Sequence, residues 1–230
     1  MTPVFDPPAL PILPIEGGGG YPVARLFCVG RNYAAHAAEM GNEVDREAPF
    51  YFTKSPFSVA LSGSAVPYPP GTEDYHHEME FVIAIGAPAF RVSREAAPSA
   101  IFGYGCGLDM TRRDLQAVAK DKRRPWDVGK DVEGSAVLGP LTRAETFGDV
   151  GGQRISLRVN GEVRQDATLA EMIHDCAAIL ADLSRLYHLR PGDVIMTGTP
   201  AGVGPVRPGD RLVGSVEGLA DVELKIDPPV

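Results

Sequence analysis

The stretch from Tyr75 to Gly86 constrains the fold of this chain more than any other, because its apolar residues have the period of a β-strand. Four large apolar side chains alternate along one face: Met79, Phe81, Ile83 and Ile85. The same alternation places Glu78 and Glu80 side by side on the other face, about 6.5 to 7 Å apart along the strand. Val82 and Ala84 follow them on that face, so we expect the pair at the mouth of a core. The alternative is a polar edge strand whose glutamates face water.

A third carboxylate is expected close to this pair. Ile101–Asp109 has the pattern of a second strand, and Asp109 ends it just before a predicted helix over Thr111–Lys120, for which Thr111 and Asp114 form a capping box. Asp109 is therefore either a third metal ligand or an ordinary helix cap. The alternating glycines of this strand do not have the spacing of a nucleotide-binding loop, and they indicate close backbone packing.

The ligand types decide which metal ions these carboxylates could hold. Carboxylates held this close repel one another, and a cation between them removes the repulsion. Three oxygen donors, from Glu78, Glu80 and Asp109, favour Mg²⁺ or Mn²⁺, with Ca²⁺ also possible. The sequence His-His-Glu-Met-Glu at 76–80 is not the His-Glu-x-x-His pattern of a zinc site. We expect His76 and His77 to support the strand.

A candidate general base lies earlier in the chain. Asn32 is predicted to cap a short helix over Tyr33–Met40, on which His36 and Glu39 share a face. A carboxylate beside an imidazole fixes its tautomer and raises its basicity, so this is either a catalytic pair or a surface pair. The segment at about 36–57 is either a lid that closes over a substrate or an ordinary surface loop.

Composition and charge exclude several classes of protein. The formal net charge of −8 and the pI near 5.1 argue against nucleic-acid binding, and we interpret the short basic run at 120–124 as a solvated loop. Three scattered cysteines are too few for a disulfide framework. Because the sequence has neither the pattern of a signal peptide nor a long apolar span, we expect a cytoplasmic protein without a membrane partner.

The remaining patterns predict mainly scaffold. Residues 1–22 are rich in proline and glycine and are expected to form an extended strap before a single catalytic domain at 23–230. Asn160-Gly161 predicts a β-hairpin turn, and Thr168 with Glu171 predicts the start of a helix that runs to Leu186. A buried strand then enters a Gly-Thr-Pro corner at 198–200, which either binds an anion or is only a turn.

Taken together, five motifs occur in the order typical of the fumarylacetoacetate hydrolase family, which the chain resembles from about Arg25 to its end. They are CVGRNYAAH at 28–36, HHEME at 76–80, LDMTRRDLQ at 108–116, Gly129-Lys130 and TGTPAGVGP at 197–205. Any one of them is a weak signal, whereas five in sequence are specific. Within the family, the linker VPYPP at 66–70 is most similar to that of bacterial fumarylpyruvate hydrolases.

The resemblance implies a role for each site residue. Its metal ligands would be Glu78, Glu80 and Asp109; its catalytic groups would be His36, Glu39 and Lys130; its substrate-binding groups would be Gln116, Thr199 and Lys54. Arg113 would be structural. Two departures from the family pattern are Ser55 directly after Lys54, where proline is usual, and Arg112, where a small residue is usual.

The resemblance also implies a fold and a reaction. The fold would be an α+β mixed β-roll with few peripheral helices, and the protein would be a homodimer. The reaction would be metal-dependent hydrolysis of a carbon–carbon bond in a 2,4-dioxo acid, with fumarylpyruvate giving fumarate and pyruvate. The alternatives are an acylpyruvate hydrolase, an oxaloacetate decarboxylase, an isomerase of hydroxymuconate type or a metal-dependent binding protein.

Overall fold

The computed structural model describes residues 3–39 and 46–230, and short strands make up most of the regular structure there. The strands are β1 Ile12–Pro14, β2 Gly20–Pro22, β3 Arg25–Gly30, β4 Phe50–Lys54, β5 Val59–Leu61, β6 Ser64–Pro67, β7 Tyr75–His77, β8 Met79–Ile85, β9 Ile101–Asp109, β10 Thr111–Arg112, β11 Ala136–Leu138, β12 Thr142–Arg143, β13 Arg154–Val159, β14 Glu162–Thr168, β15 Asp193–Met196, β16 Gly204–Pro205, β17 Arg211–Val216 and β18 Val222–Asp227. The α-helices are α1 Ala34–Glu39, α2 Arg113–Asp121, α3 Asp127–Lys130, α4 Ala144–Phe147 and α5 Cys176–Leu186. Short 3₁₀ helices cover Pro56–Ser58, Ala97–Ala100 and Leu169–Glu171.

The largest sheet has the strand order β4-β3-β15-β8-β9-β11-β5, with β12 paired to β9. It is mixed, because β15 runs parallel to β3 and β11 runs parallel to β5, whereas the other neighbours are antiparallel. Strand β8 lies at its centre and is buried along its whole length, so the alternative of a polar edge strand is wrong. Phe81 and Ile83 pack in one apolar cluster, and Val82 and Ala84 pack in a second cluster on the opposite face.

A second sheet, of order β14-β13-β17-β18-β6, packs against the first. Contact between the two sheets is close at Gly214, where a β-carbon would lie 2.3 Å from the sulfur of Met79. The predicted hairpin is present, since β13 and β14 are antiparallel and Asn160 and Gly161 both have positive φ, as a tight two-residue turn requires. The side chains of both sheets therefore form a continuous core.

Two smaller sheets complete the strand arrangement. Strands β10, β7 and β16 form one of them. Strand β7 directly precedes Glu78, and β10 begins two residues after Asp109, so this sheet borders the candidate site. Strands β1 and β2 form the other, a hairpin within the segment predicted as a strap. The hydroxyl of Tyr21 in β2 donates to the carbonyl oxygens of Ile85, at 2.7 Å, and Asp193, at 2.9 Å, which fixes this hairpin against the large sheet.

The helices are short and peripheral, which together with the mixed sheets confirms the α+β β-roll. Two predicted helix boundaries are wrong. Thr111 and Arg112 pair with β7 as a strand, so α2 begins at Arg113, and Asp114 accepts hydrogen bonds from Thr72 and Glu73. The capping box of Thr168 starts only a 3₁₀ turn, and α5 begins after Asp175. In the described residues, no helix has the length and hydropathy needed to span a membrane.

Candidate metal centre and active site

The three predicted metal ligands meet at one end of strands β8 and β9. Glu78 lies between β7 and β8, Glu80 is the second residue of β8 and Asp109 is the last residue of β9. The antiparallel register sets Glu80 opposite Gly107, and the amide of Asp109 donates to the carbonyl oxygen of Glu78 at 2.8 Å. One oxygen from each carboxylate lies within 4.8 Å of the others, and all three side chains are buried.

This donor set fits a divalent cation that prefers oxygen ligands. The pKa of Glu80 is raised well above its usual range by burial and by the negative charges of Asp109 and Glu78. Asp109 Oδ1 lies 2.9 Å from the ammonium nitrogen of Lys54 but receives no well-directed hydrogen bond from the described residues. A buried carboxylate oxygen with unused acceptor capacity, beside a second carboxylate whose ionisation is opposed, is what a cation would stabilise.

Lys130, the last residue of α3, joins two of the carboxylates. Its ammonium nitrogen lies 2.7 Å from Glu78 Oε2 and 2.6 Å from Asp109 Oδ2, and the Phe52 ring covers it at 4.9 Å from the centroid. Burial lowers the pKa of Lys130, but Asp109 and Glu78 outweigh this effect and the net shift is upward. Lys130 is therefore a fixed positive charge in direct contact with the predicted metal ligands.

Lys54, at the end of β4, approaches Asp109 from another side. Its ammonium donates to the carbonyl oxygens of Met110 and Ser135, each at 3.0 Å, to the Ser135 hydroxyl at 2.8 Å and to the carbonyl oxygen of Lys130. Within the described part of the chain, Lys54 is not among the residues that line the narrow cavity beside these carboxylates. Its contact with a substrate stays a prediction, and the geometry supports a different role, that of fixing Asp109.

Helix α2 presents a line of polar side chains to the site. Arg113 and Gln116 are three residues apart and therefore share a face of the helix. Arg113 Nη2 lies 2.5 Å from Glu78 Oε1, and Arg113 Nη1 donates to Gln116 Oε1 at 2.7 Å. Because its oxygen already accepts this bond, Gln116 has its amide NH₂ left to donate to a ligand. Gly129 of α3 packs so closely that a β-carbon there would lie 2.9 Å from Gln116.

His36 and Glu39 are brought together as predicted. His36 Nδ1 lies 3.3 Å from Glu39 Oε2, and both oxygens of Glu39 accept a hydrogen bond from the amide of Gly202, at 3.1 and 3.2 Å. Since Nδ1 is engaged by Glu39, Nε2 is the nitrogen left to take a proton. Burial lowers the pKa of His36, although Glu78 and Glu39 oppose the shift, and this favours the neutral imidazole.

The corner that follows β15 supplies the last predicted group. The Gly198 amide donates to Glu80 Oε2 at 2.7 Å, and Thr197 Oγ1 donates to the carbonyl oxygen of Phe81 at 2.9 Å. Thr199 Oγ1 accepts from the side-chain amide of Gln165 at 2.8 Å, so its own proton can be donated elsewhere. These bonds tie the corner to β8 and place Thr199 in the cavity wall.

The cavity itself is narrow. It encloses about 30 Å³, enough for one or two water-sized groups, and is lined by Val29, Gly30, Arg31, His36, Ala37, Phe52, Glu78, Glu80, Arg113, Gln116, Lys120, Trp126, Lys130 and Thr199. Six of the nine predicted site residues are among these. Asp109 and Lys54 lie behind Lys130, and Glu39 lies behind His36. We refer below to Glu78, Glu80, Asp109, Lys54, Lys130 and Arg113 as the carboxylate centre.

Sequence reasoning missed two supporting side chains. Gln165 of β14 is fully buried and accepts from the amide of Met79 at 2.9 Å while it donates to Thr199. Asn32, predicted as a helix cap, instead donates to the carbonyl oxygens of His174 and Thr197. Neither residue lies in a local pattern that marks it, because both act on segments far away in sequence.

Comparisons with known proteins agree with this geometry. Residues 25–227 match the family described as Fumarylacetoacetate (FAA) hydrolase C-terminal. The chain is 52% identical over 191 residues to the fumarylpyruvate hydrolase of Ralstonia sp. This match covers 82% of this chain and 99% of that protein. It is 40% identical over 199 residues to the oxaloacetate tautomerase YcgM of Escherichia coli K12, a match that covers 86% of this chain and 90% of that protein.

The fold also has a close match among solved structures. The crystal structure of fumarylpyruvate hydrolase from Pseudomonas aeruginosa in complex with Mn²⁺ and pyruvate superposes with a TM-score of 0.95 at 43% identity. The match covers 99% of this chain and 100% of that one. With the profile match, the sequence identities and the superposition in agreement, this chain belongs to the fumarylacetoacetate hydrolase family.

Proposed function

We propose that this chain is a divalent-metal-dependent hydrolase that cleaves fumarylpyruvate to fumarate and pyruvate. The observation that carries the proposal is the buried charge pattern of the carboxylate centre, in which three carboxylates face three cations. A divalent ion would leave this centre with two positive charges, which match the carboxylate and enolate charges of a departing pyruvate enolate. The similarity to the Ralstonia and Pseudomonas proteins supports the choice of substrate.

Each site residue has a proposed role. Glu78, Glu80 and Asp109 would hold Mg²⁺ or Mn²⁺, which supplies Lewis-acid polarisation of the 2-oxo group when it is bound. Lys54 would fix Asp109. Gln116 and Thr199, each with a donor left for the cavity, would hold the oxo-acid end of the substrate.

In the reaction, neutral His36 takes a proton from water while Glu39 holds its ring, and the water oxygen attacks the 4-carbonyl carbon. The C3–C4 bond then breaks, and its electron pair passes into the enolate of pyruvate. Lys130 adds positive charge where this enolate develops. The new carboxyl group remains on the fumarate product, and C3 takes up a proton to give pyruvate.

Turnover with three substrates tests the proposal. Purified protein with Mn²⁺ should give fumarate and pyruvate in equal amounts from fumarylpyruvate, at a higher kcat/KM than it shows with acetylpyruvate or oxaloacetate. EDTA should abolish the reaction, and added Mn²⁺ or Mg²⁺ should restore it. Oxaloacetate as the best substrate would contradict the proposal.

A second candidate is chemistry on oxaloacetate, either decarboxylation or tautomerisation. The observation that favours it is the 40% identity to the Escherichia coli oxaloacetate tautomerase. Both reactions pass through an enolate that the carboxylate centre and Lys130 could stabilise, and neither needs an attacking water. If oxaloacetate is the true substrate, His36→Ala should retain far more of its activity on oxaloacetate than a hydrolase would retain on fumarylpyruvate.

We further propose that the protein is a cytoplasmic homodimer with one catalytic domain at 23–230 and a lid over the site. The predicted lid at about 36–57 includes residues 40–45, which lie outside the described part of the chain. Phe50–Lys54 form β4 of the main sheet, so the lid would comprise α1 and the segment between α1 and β4. Slower proteolysis of this segment in the presence of Mg²⁺ and oxalate would support it, and light scattering would test the dimer.

A further inference from the structure

A second and larger cavity adjoins the catalytic one. It measures about 520 Å³ and shares four wall residues with the catalytic cavity: Gly30, Arg31, Lys120 and Trp126. Its wall also contains Arg123 and Arg124, so four cationic side chains surround it. We call this space the basic chamber, defined by Arg31, Lys120, Arg123 and Arg124. A ligand that fills the catalytic cavity and extends outward enters it.

The cations of the basic chamber have no carboxylate partner among the described residues. Within residues 3–39 and 46–230, no carboxylate forms an ion pair with any of its four cations. Burial, with Arg113 and Arg31 nearby, lowers the pKa of Lys120 to about 8. Cations that are close together and partly desolvated favour an anion between them.

The basic chamber lies at the right separation from the carboxylate centre for one substrate to reach both. Lys120 is seven residues beyond Arg113 on α2, which corresponds to about 10 Å along the helix axis, and Arg113 contacts Glu78. Six carbon–carbon bonds of about 1.5 Å in an extended zigzag separate the two carboxyl carbons of fumarylpyruvate by about 7 to 8 Å. The second carboxylate of a dicarboxylic substrate would therefore lie beside Lys120.

Arg31 has a backbone conformation that is unusual for its residue type. Its φ is 59°, in the left-handed region that residues with a side chain seldom adopt, and it lies directly after β3. Such conformations are costly and persist where the surrounding structure imposes them, often at binding sites. Here the conformation places an arginine in the wall of both cavities.

We infer that Arg31 and Lys120 bind the distal carboxylate of the acyl group and so make the enzyme selective for dicarboxylic over neutral acylpyruvates. Two other cations near the site, Arg112 and Lys54, are engaged elsewhere. Arg112 donates to the carbonyl oxygens of Val128 and Pro70, and Lys54 is held behind Asp109. This inference rests on the proposed hydrolase function, and it adds the residues that determine specificity.

Substitutions that remove charge and keep length test the inference. Arg31→Gln and Lys120→Met should each lower kcat/KM for fumarylpyruvate about 10- to 100-fold, mainly through KM, since each removes one charged hydrogen bond. Both should leave kcat/KM for acetylpyruvate within about twofold, because that substrate has no distal carboxylate. Lys122→Met is the matched control, since this exposed lysine at the end of the same helix lines neither cavity, and it should not affect either substrate.

Equal losses with both substrates, or an unchanged preference in the double variant, would overturn the inference. Fumarate binding to the Mn²⁺-loaded protein, measured by calorimetry, separates it from the proposed function. If the protein hydrolyses neither acylpyruvate, the proposed function fails, yet fumarate binding that the double variant loses would still support the basic chamber. Fumarate binding of equal strength in the wild type and the double variant would overturn the inference.

Discussion

The carboxylate centre and the basic chamber adjoin the same narrow cavity, yet their charges are arranged in opposite ways. In the carboxylate centre three acids and three cations are buried, and the cations form ion pairs with Glu78 and Asp109. In the basic chamber four cations line a wider cavity, and three of them are mostly exposed. The difference separates two tasks. Groups that act on the reacting bond are held rigidly away from water, whereas groups that select the substrate leave their charge for the ligand to neutralise.

The largest expected effect comes from breaking the balance inside the carboxylate centre. Asp109→Ala leaves Lys54 and Lys130 without their shared carboxylate, and a buried pair broken in this way costs about 3 to 5 kcal/mol of unfolding free energy. Metal binding and turnover should be lost as well. Urea denaturation and calorimetry with Mn²⁺ measure both effects. Glu133→Gln, at an exposed acid, is the control and should be neutral, and a fully stable Asp109→Ala would contradict this comparison.

A smaller effect is expected when the general base is removed from the catalytic cavity and the charged residues are kept. His36→Ala should lower kcat for fumarylpyruvate by about 10²- to 10⁴-fold, the usual contribution of a general base. Mn²⁺ and oxalate should still bind with near wild-type affinity, because His36 is not one of the metal-binding carboxylates. Steady-state kinetics would measure the loss of kcat, and calorimetry would measure the binding of Mn²⁺ and oxalate. A variant with wild-type turnover would contradict the role of His36.

The next effect in size is on the pH dependence of kcat/KM, and it should be smaller than the loss of kcat in His36→Ala. A general base is active only when it is neutral, so activity should be present above the pKa of His36 and lost below it. Because burial lowers this pKa, the acid limb of kcat/KM should have its midpoint below pH 6.5. Glu39 opposes the shift, so Glu39→Gln should move the limb to still lower pH. A limb at or above pH 6.5 would contradict this environment for His36.

The smallest effect is expected from salt, which acts on the solvated region. Raising the ionic strength should increase KM for fumarylpyruvate a few-fold, since it screens the exposed cations of the basic chamber. KM for acetylpyruvate should respond less, because its only carboxylate lies at the buried centre. Parallel titrations with potassium chloride, with sodium chloride as a check on ion-specific effects, would measure the difference, and identical responses would remove the contrast between the two regions.

Much of the carboxylate centre could be predicted from sequence because its parts are local. Glu80 lies in β8 and Glu78 directly before it, where the predicted continuous strand is interrupted, and Asp109 ends β9. Outside this centre, His36 and Glu39 lie three residues apart on one helix. Strand and helix periods predict these neighbouring groups, whereas the resemblance to the family implies that they form one site together with Lys130. The mixed β-roll followed from the same resemblance, and the structure confirms it.

The basic chamber could not be predicted in this way. The run at 120–124 is short and contains an acid, so its pattern predicts a solvated loop and does not indicate that it faces a cavity. Arg31, which completes the wall, directly follows β3 and is far from this run in the sequence. Likewise, the predicted long helix is interrupted because the amides of Ile173 and His174 donate to Asn32, a contact across the fold that overrides local propensity.

The position of β15 between β3 and β8 has a consequence for how the protein is made. The segment Asp193–Met196 is synthesised long after its two neighbours, so the central sheet cannot close until this segment has been added. Until then Glu80 lies on a strand that lacks one of its partners, and Gly198 is not yet there to bind it. The ability to capture a metal ion should therefore arise late and all at once, when β15 takes its place in the sheet.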